Sequence, residues 1–247
     1  MSDLRPWLFV PDAHRPYHDA RAWTLMLKVG RALKPKGVAV IGDLADCYAI
    51  SSHIKDPKRA TQFVEEVSDV NHGLDELDSL GAEDKIFLAG NHEDRLERYI
   101  RTKAAELDGV TSIPQLFRLK ERGWHYVPYH EHTRRGKLYL THDVGVAGRY
   151  AVYRCLEAFE HSVVTGHAHR LAYVVEGNAT GKRKVSAQFG WLGDVKQVNY
   201  MSRVKVIKDW VLGFGIGYIH AVTGVAYLTP IPIVEYTCVV EGKLYAA

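Results

Sequence analysis

Five short clusters of carboxylate, imidazole and amide side chains punctuate residues 12–169: Asp12 with His14; Asp43 with Asp46; Asn91 with His92, Glu93 and Asp94; His142 with Asp143; and His167 with His169. Oxygen and imidazole-nitrogen donors in this mixture suit divalent cations such as Mn²⁺, Zn²⁺, Fe²⁺ or Ni²⁺, and no nearby cysteine pair favours a sulfur-rich structural zinc site. The donors exceed what one ion needs. Two neighbouring ions sharing one carboxylate would use them, and a pair about 3.5–4 Å apart is the arrangement that clamps both oxygens of an in-line phosphoryl displacement.

Each cluster follows an apolar run that reads as a strand. Trp7–Val10 ends at Pro11-Asp12, after which Ala22, Trp23, Met26, Leu27, Val29 and Leu33 recur at helical spacing until Lys34-Pro35. Gly37–Ile41 is a second strand, and Phe63, Val67, Val70, Leu74 and Leu77 form one apolar face of the helix after it. Ile86–Ala89 is a third, with Leu96, Tyr99, Ile100 and Leu107 suiting a further helix. Three strand–loop–helix units predict a parallel sheet with crossover helices, and the carboxyl ends of such strands are where sites are built. More strands are expected at Trp124–Tyr126, Lys137–Leu140 and Val163–Thr165, with a helix over Tyr150–Phe159. Beyond Leu171 the helical period fades. Asn178-Ala179-Thr180-Gly181 reads as a hairpin turn and Val211–Val240 as short strands, so residues 1–247 form one domain with a motif-bearing part (1–170) and a strand-rich part (171–247).

Composition narrows the class. With 47% hydrophobic and 25% charged residues in 247, the chain is an ordinary globular sequence, which excludes disorder, collagen and coiled coil. A net charge of +3 permits an anionic partner without requiring one. The basic groups Arg134-Arg135-Lys137, Lys182-Arg183-Lys184 and Arg203-Lys205-Lys208 read mainly as solvated surface, with a nucleic-acid track as the alternative. The opening residues hold no signal-peptide core and no stretch reads as a membrane helix, while Cys47, Cys155 and Cys238 are too dispersed for a disulfide framework. A cytoplasmic location without membrane contact is expected; subunit number is not legible.

Taken in order, Asp12-Ala13-His14, Gly42-Asp43-Leu44-Ala45-Asp46, Gly90-Asn91-His92-Glu93, His142 and Gly166-His167-Ala168-His169 resemble the DxH, GDxxD, GNH[DE], lone-histidine and GHxH blocks of the calcineurin-like metallophosphoesterase superfamily. The resemblance implies an α/β fold, a four-layer αββα sandwich of two mixed β-sheets flanked by helices, in which residues 171–247 complete the second sheet. It implies that Asp12, His14 and His169 hold one metal, that Asn91, His142 and His167 hold the other, and that Asp43 bridges them, with Mn²⁺ the leading ion. A water between two cations ionises near neutral pH and would serve as the nucleophile. His92, not needed as a ligand beside Asn91, is then free to protonate the leaving oxygen or to stabilise charge on phosphorus, and Asp46 matches the aspartate that orients it. A helix cap is the plainer reading of Asp46, and first-turn acids that of Glu93 and Asp94. The GNHEDRLERY stretch, the glycines after His142 and Asp209-Trp210 with Gly213–Gly215 also look like small metallophosphoesterases carried by bacteriophages.

One departure bears on substrate. The Ser/Thr protein phosphatase branch continues its second block as GDxxDRG, with the arginine on phosphate, whereas Cys47-Tyr48 follows Asp46 here. Arg149, after the Gly145–Gly148 segment, is a candidate phosphate ligand, with Arg95 and Arg170 as rivals. The expectation is a dimetal phosphodiesterase acting on nucleotides, DNA or RNA; the alternatives are a phosphomonoesterase and, disfavoured by the complete ligand set, an inactive fold used as a binding module.

Overall fold

The computed structural model describes residues 3–53, 55, 61–197 and 209–247. Strands β1 (Leu4–Val10), β2 (Gly37–Val40), β3 (Asp84–Leu88) and β4 (His125–Val127) lie side by side and parallel. Helices α1 (Ala20–Leu33), α2 (Phe63–Asp78), α3 (Asp94–Lys103) and the single turn α4 (Ile113–Leu116) connect them. A second sheet has the order β5 (His132–Arg135), β6 (Leu138–Thr141), β7 (Ser162–Thr165), β9 (Arg183–Phe189), β8 (Leu171–Gly177), parallel through β6, β7 and β9 and antiparallel at its edges. Helix α5 (Ala151–Ala158) covers its outer face.

Alternation along the central strands separates two cores. Leu8, Val10, Val38, Val40 and Phe87 pack with Met26, Val29, Val70 and Leu74 of α1 and α2. Their neighbours Trp7, Phe9, Ala39, Ile86 and Leu88 pack with Leu138, Leu140, Val164, Ala187 and Phe189 of the other sheet. Strands buried on both faces therefore read as continuous apolar runs, and the layers stack helix, sheet, sheet, helix. Helix α1 shows why its limits fall where they do: the Asp19 carboxylate accepts the Arg21 and Ala22 N–H groups, and Lys34 turns into the left-handed region before Pro35.

The strand-rich end divides between the sheets instead of completing only the second. β8 and β9 join the second sheet through the expected turn, but β10 (Gly213–His220) pairs antiparallel with β1, and β11 (Ala226–Pro232) with β10, so the first sheet runs β11-β10-β1-β2-β3-β4. The outer edge of β1 would otherwise expose a row of unpaired backbone groups. Gly215 lets β10 fit there, because a Cβ at that position would fall 2.4 Å from the Phe189 ring. β12 (Thr237–Val240) and β13 (Lys243–Ala246) form a separate ribbon beside α1. Helix α3 ends at Lys103, short of the expected Leu107, and a 3₁₀ turn takes up Ala105–Leu107. Strand β5, His-Thr-Arg-Arg, is an edge strand with no apolar run to announce it. All three cysteines are buried and free, and among the described residues no helix is long and apolar enough to cross a membrane.

Candidate metal centre

The five clusters leave the carboxyl ends of β1, β2, β3, β6 and β7, so one site collects loops from both sheets. Backbone bonds tie the loops together: Ala13 and His14 donate to the Asp43 carbonyl (3.0 and 2.9 Å), and Gly166 donates to that of His142 (2.9 Å). Side chains extend the net, with His92 N–H on Asp43 Oδ1 (2.9 Å) and His167 N–H on Asp12 Oδ1 (2.8 Å). The block glycines have a steric reason. A Cβ on Gly42 would lie 2.2 Å from His142 Nδ1, and one on Gly90 would lie 2.1 Å from Asp43 Oδ1, so each leaves room for a donor from a neighbouring loop. His14, Asp43, His167 and His169 all hold left-handed backbone (φ 51 to 64°), a conformation that costs a non-glycine residue about 1 kcal/mol or more and that gathers at functional sites.

Two donor groups converge. His14 Nε2 and His169 Nε2 approach to 3.0 Å, and Asp12 Oδ1 lies 3.4 Å from the latter. Opposite them, Asn91 Oδ1 lies 3.2 Å from His142 Nε2 and 2.8 Å from His167 Nδ1. Asp43 serves both: it can share a cation with Asp12, His14 and His169 or with His142 and His167, and its Oδ2 is 3.3 Å from His142 Nε2. The structure thus brings together all seven residues proposed as ligands. Asp12, His14, Asp43, His142 and His169 are buried, and Asn91 and His167 are partly so.

The donor chemistry fits two cations. Asp12 is fully buried and its Oδ2 has no hydrogen-bond partner, an arrangement that costs stability unless the charge is balanced nearby. Burial, reinforced by His92 and His169, lowers the His14 pKa to about 3, leaving the neutral imidazole that a metal needs. At His142 burial is outweighed by Asp43, which lifts the pKa to about 10; the proton so drawn lies where a cation would satisfy the same carboxylate. Asp43 itself is held well below the usual carboxylate range, its burial outweighed chiefly by His142 and His92.

Asp46 and His92 stand apart from this set. With His14 they could form a third cation group, but Arg95 already fills it: Nη1 donates to the Asp46 carbonyl (2.7 Å) and Oδ1 (3.1 Å), and Nη2 contacts His92 Nε2 (3.1 Å). A guanidinium only donates, so Nε2 accepts and the ring proton sits on Nδ1, 3.0 Å from the Asp46 carbonyl. The Asp46 carboxylate is farther from that nitrogen, at 3.6 Å. Asp46 caps no helix, since the 3₁₀ turn Tyr48–Ile50 begins after Cys47 and has no side-chain cap.

Glu93 departs from its reading as a first-turn acid. Helix α3 starts one residue later, and the fully buried Glu93 carboxylate accepts the N–H groups of Asp43 (2.9 Å), Gly90 (2.8 Å) and Ala45 (2.8 Å). Burial and then Asp43 push its pKa up to about 7, against the pull of those donors. The fourth residue of GNHE thus fastens the second and third loops together. Arg15, unremarked in the sequence, does similar work: it is 2% exposed, bonds Asp69 (2.9 Å) and lies over Trp23 (4.7 Å), anchoring the His14 loop to α2. A place inside a block for Glu93 and beside one for Arg15 was the only signal for either.

The remaining candidates lie outward. Arg149 is 71% exposed with Nη2 3.7 Å from Asp209, which Arg170 also contacts at 3.3 Å. Arg135 is paired with Asp84, and Lys184 donates to the Leu156 and Phe159 carbonyls. Arg203, Lys205 and Lys208 lie outside the described residues.

No family model and no curated protein matches the chain. Among solved structures it is similar to a single-mutant Vps29 from Entamoeba histolytica (13% identity over 97% of this chain and 95% of that one, TM-score 0.46). It is also similar to Vacuolar Protein Sorting 29 from Cryptosporidium parvum (13%, 98% and 94%, TM-score 0.46) and to YfcE, a phosphoesterase from E. coli (13%, 91% and 98%, TM-score 0.41). At identities this low, what the site does rests on its own side chains.

Proposed function

We propose that this chain is a dimetal phosphoesterase of the calcineurin-like kind whose substrates are phosphodiesters of nucleotides or nucleic acid. The observation that carries the reading is Asp43, one carboxylate common to a buried and a partly buried donor group, each completed by residues from other loops. Asp12, His14 and His169 would hold one divalent ion and Asn91, His142 and His167 the other, with Mn²⁺ the leading choice among Mn²⁺, Zn²⁺, Fe²⁺ and Ni²⁺. Such ions supply Lewis-acid polarisation of the phosphoryl group and a water acidified toward pKa about 7.

The protein's own groups divide the remaining work. Glu93 sets the spacing of Asp43 and Asn91 by holding both loops. While Arg95 donates to His92 Nε2, the ring keeps its proton on Nδ1. When Arg95 turns to a substrate phosphate, Nε2 is freed to take up a proton from solvent, favoured because burial of the ring is outweighed by Asp43 and Asp46, which raise its pKa. The imidazolium then gives that Nε2 proton to the departing oxygen and keeps the one on Nδ1, while Asp46 holds the ring aligned. Cys47 gives the phosphate no charge: it is buried, and burial raises its thiol pKa well above the ordinary value. A diester, with one negative charge fewer than a monoester, suffers least from that. The second reading, a phosphomonoesterase, draws on Arg95, which could supply the cation that Cys47 does not. A single working domain, residues 1–247, belongs to the same proposal, since β1 needs β10 as its partner, and so does a cytoplasmic location, to which three free cysteines are suited.

Metal-reconstituted protein assayed on p-nitrophenyl phosphate and bis-(p-nitrophenyl) phosphate, then on single- and double-stranded DNA and on RNA, tests the reading. Diester hydrolysis should lead and should vanish on chelation. Full turnover after exhaustive chelation would overturn the metal reading, and higher kcat/KM on the monoester would replace the substrate class.

A further inference from the structure

Asp209-Trp210, singled out in the sequence, has no part in the scheme above, and neither has the segment after β9. They meet at His169. Trp191, 2% exposed, stacks on the His169 imidazole with ring centroids 5.1 Å apart and planes 15° from parallel. Trp210 closes on the same imidazole at 4.0 Å, nearly perpendicular to it, and the two indoles touch at 4.7 Å. The backbone fixes this arrangement from both sides: Val211 N–H donates to the His169 carbonyl (3.0 Å), Trp191 N–H to that of Val211 (3.1 Å), and Leu192 N–H to that of Asp12 (2.8 Å). Gly193 makes room, since a Cβ there would meet the Trp191 ring at 2.2 Å.

A metal-ligating histidine ordinarily donates its second ring N–H to a carboxylate, carbonyl or water, which fixes both tautomer and orientation. His142 does so, with Nδ1 on the Ile41 carbonyl at 2.7 Å. His169 does not: its Nδ1 is buried and without a hydrogen-bond partner. We propose that Trp191 and Trp210 are positioning residues that hold the His169 ring by stacking where a hydrogen bond would otherwise hold it, and that they set the metal affinity of the Asp12–His14–His169 position alone. The proposal rests on the two-metal reading. Trp191 also becomes an optical reporter, because an ion on His169 would sit beside its indole.

The test is calorimetric titration of the chelated protein with Mn²⁺, followed in parallel by tryptophan fluorescence, for wild type, Trp191→Phe, Trp191→Leu and Trp210→Leu, with circular dichroism confirming the fold of each. Wild type should take up two ions, with quenching tied to the step that Asp12→Asn removes. Trp191→Leu and Trp210→Leu should weaken that step by about 10 to 100-fold, as lost outer-shell partners do, leave the step removed by His167→Ala within about threefold, and Trp191→Phe should restore most of the loss. No metal uptake by wild type would refute the two-metal reading itself. Two ions bound with unchanged affinities in folded Trp191→Leu and Trp210→Leu, or equal weakening of both steps, would overturn this proposal and leave that reading standing. Should Trp191→Leu fail to fold, Trp210→Leu and Trp191→Phe carry the same comparison.

Discussion

Replacing Glu93 measures how far the site is built by its supports instead of by its ligands. In Glu93→Ala three buried N–H groups, those of Asp43, Ala45 and Gly90, lose their acceptor together. At roughly 1–3 kcal/mol for each unsatisfied donor, with water able to enter the vacated space, the expected destabilisation is about 3–5 kcal/mol. Glu93→Gln separates geometry from charge. Its amide oxygen can still accept from Asp43 and Gly90, both on Oε2 in the native protein, but its NH₂ then faces the Ala45 N–H. Loss of repulsion with Asp43 returns part of that cost, so about 1–2 kcal/mol is expected. Urea unfolding in chelator gives these values without the linkage of metal to folding, and repetition in Mn²⁺ gives the loss of metal stabilisation, about 10 to 100-fold in affinity. If Glu93→Ala unfolds within about 0.5 kcal/mol of wild type, the range of an ordinary surface change, the clamp holds nothing together.

Three further outcomes follow from the same geometry. His92→Ala should keep both metals yet slow an unactivated dinucleotide by roughly 10² to 10⁴, with far less effect on bis-(p-nitrophenyl) phosphate, whose leaving group departs without a full proton; loss of one ion would make His92 a ligand, contrary to its contact with Arg95. Gly90→Ala drives a methyl into the Asp43 carboxylate, so metal affinity should drop along with about 1–3 kcal/mol of stability, whereas Gly123→Ala, with open space around it, should cost only backbone strain and leave metal binding intact. Asp43→Asn should abolish turnover and at least one equivalent of bound metal, checked by metal analysis beside the rate; an active Asn variant with two ions would remove the bridging role.

The sequence carried the ligand-bearing loops with unusual clarity because each follows a strand whose two faces are both buried, so the apolar run and the polar break are both sharp. Helix α2 was legible for a different reason, a single apolar face repeating every three or four residues up to Leu77. What escaped was set by tertiary contact. No local pattern tells β10 to take the edge of β1 instead of the second sheet, and β5 is charged because it lies at an edge. Glu93 reads like any first-turn acid until the Asp43 and Ala45 amides are seen beside it. Arg95 was one of several arginines near a block, and only its grip on Asp46 and His92 separates it from Arg149, which reaches out to Asp209.

The central claim is that two cations share Asp43, and anomalous diffraction from Mn²⁺-soaked crystals tests it most directly. The account predicts two peaks about 3.5–4 Å apart, one ligated by Asp12, His14 and His169 and the other by Asn91, His142 and His167, with Asp43 touching both and Arg95 still beside Asp46. A single peak, or a second peak seated on Asp46 and His92 with Arg95 displaced, would contradict it.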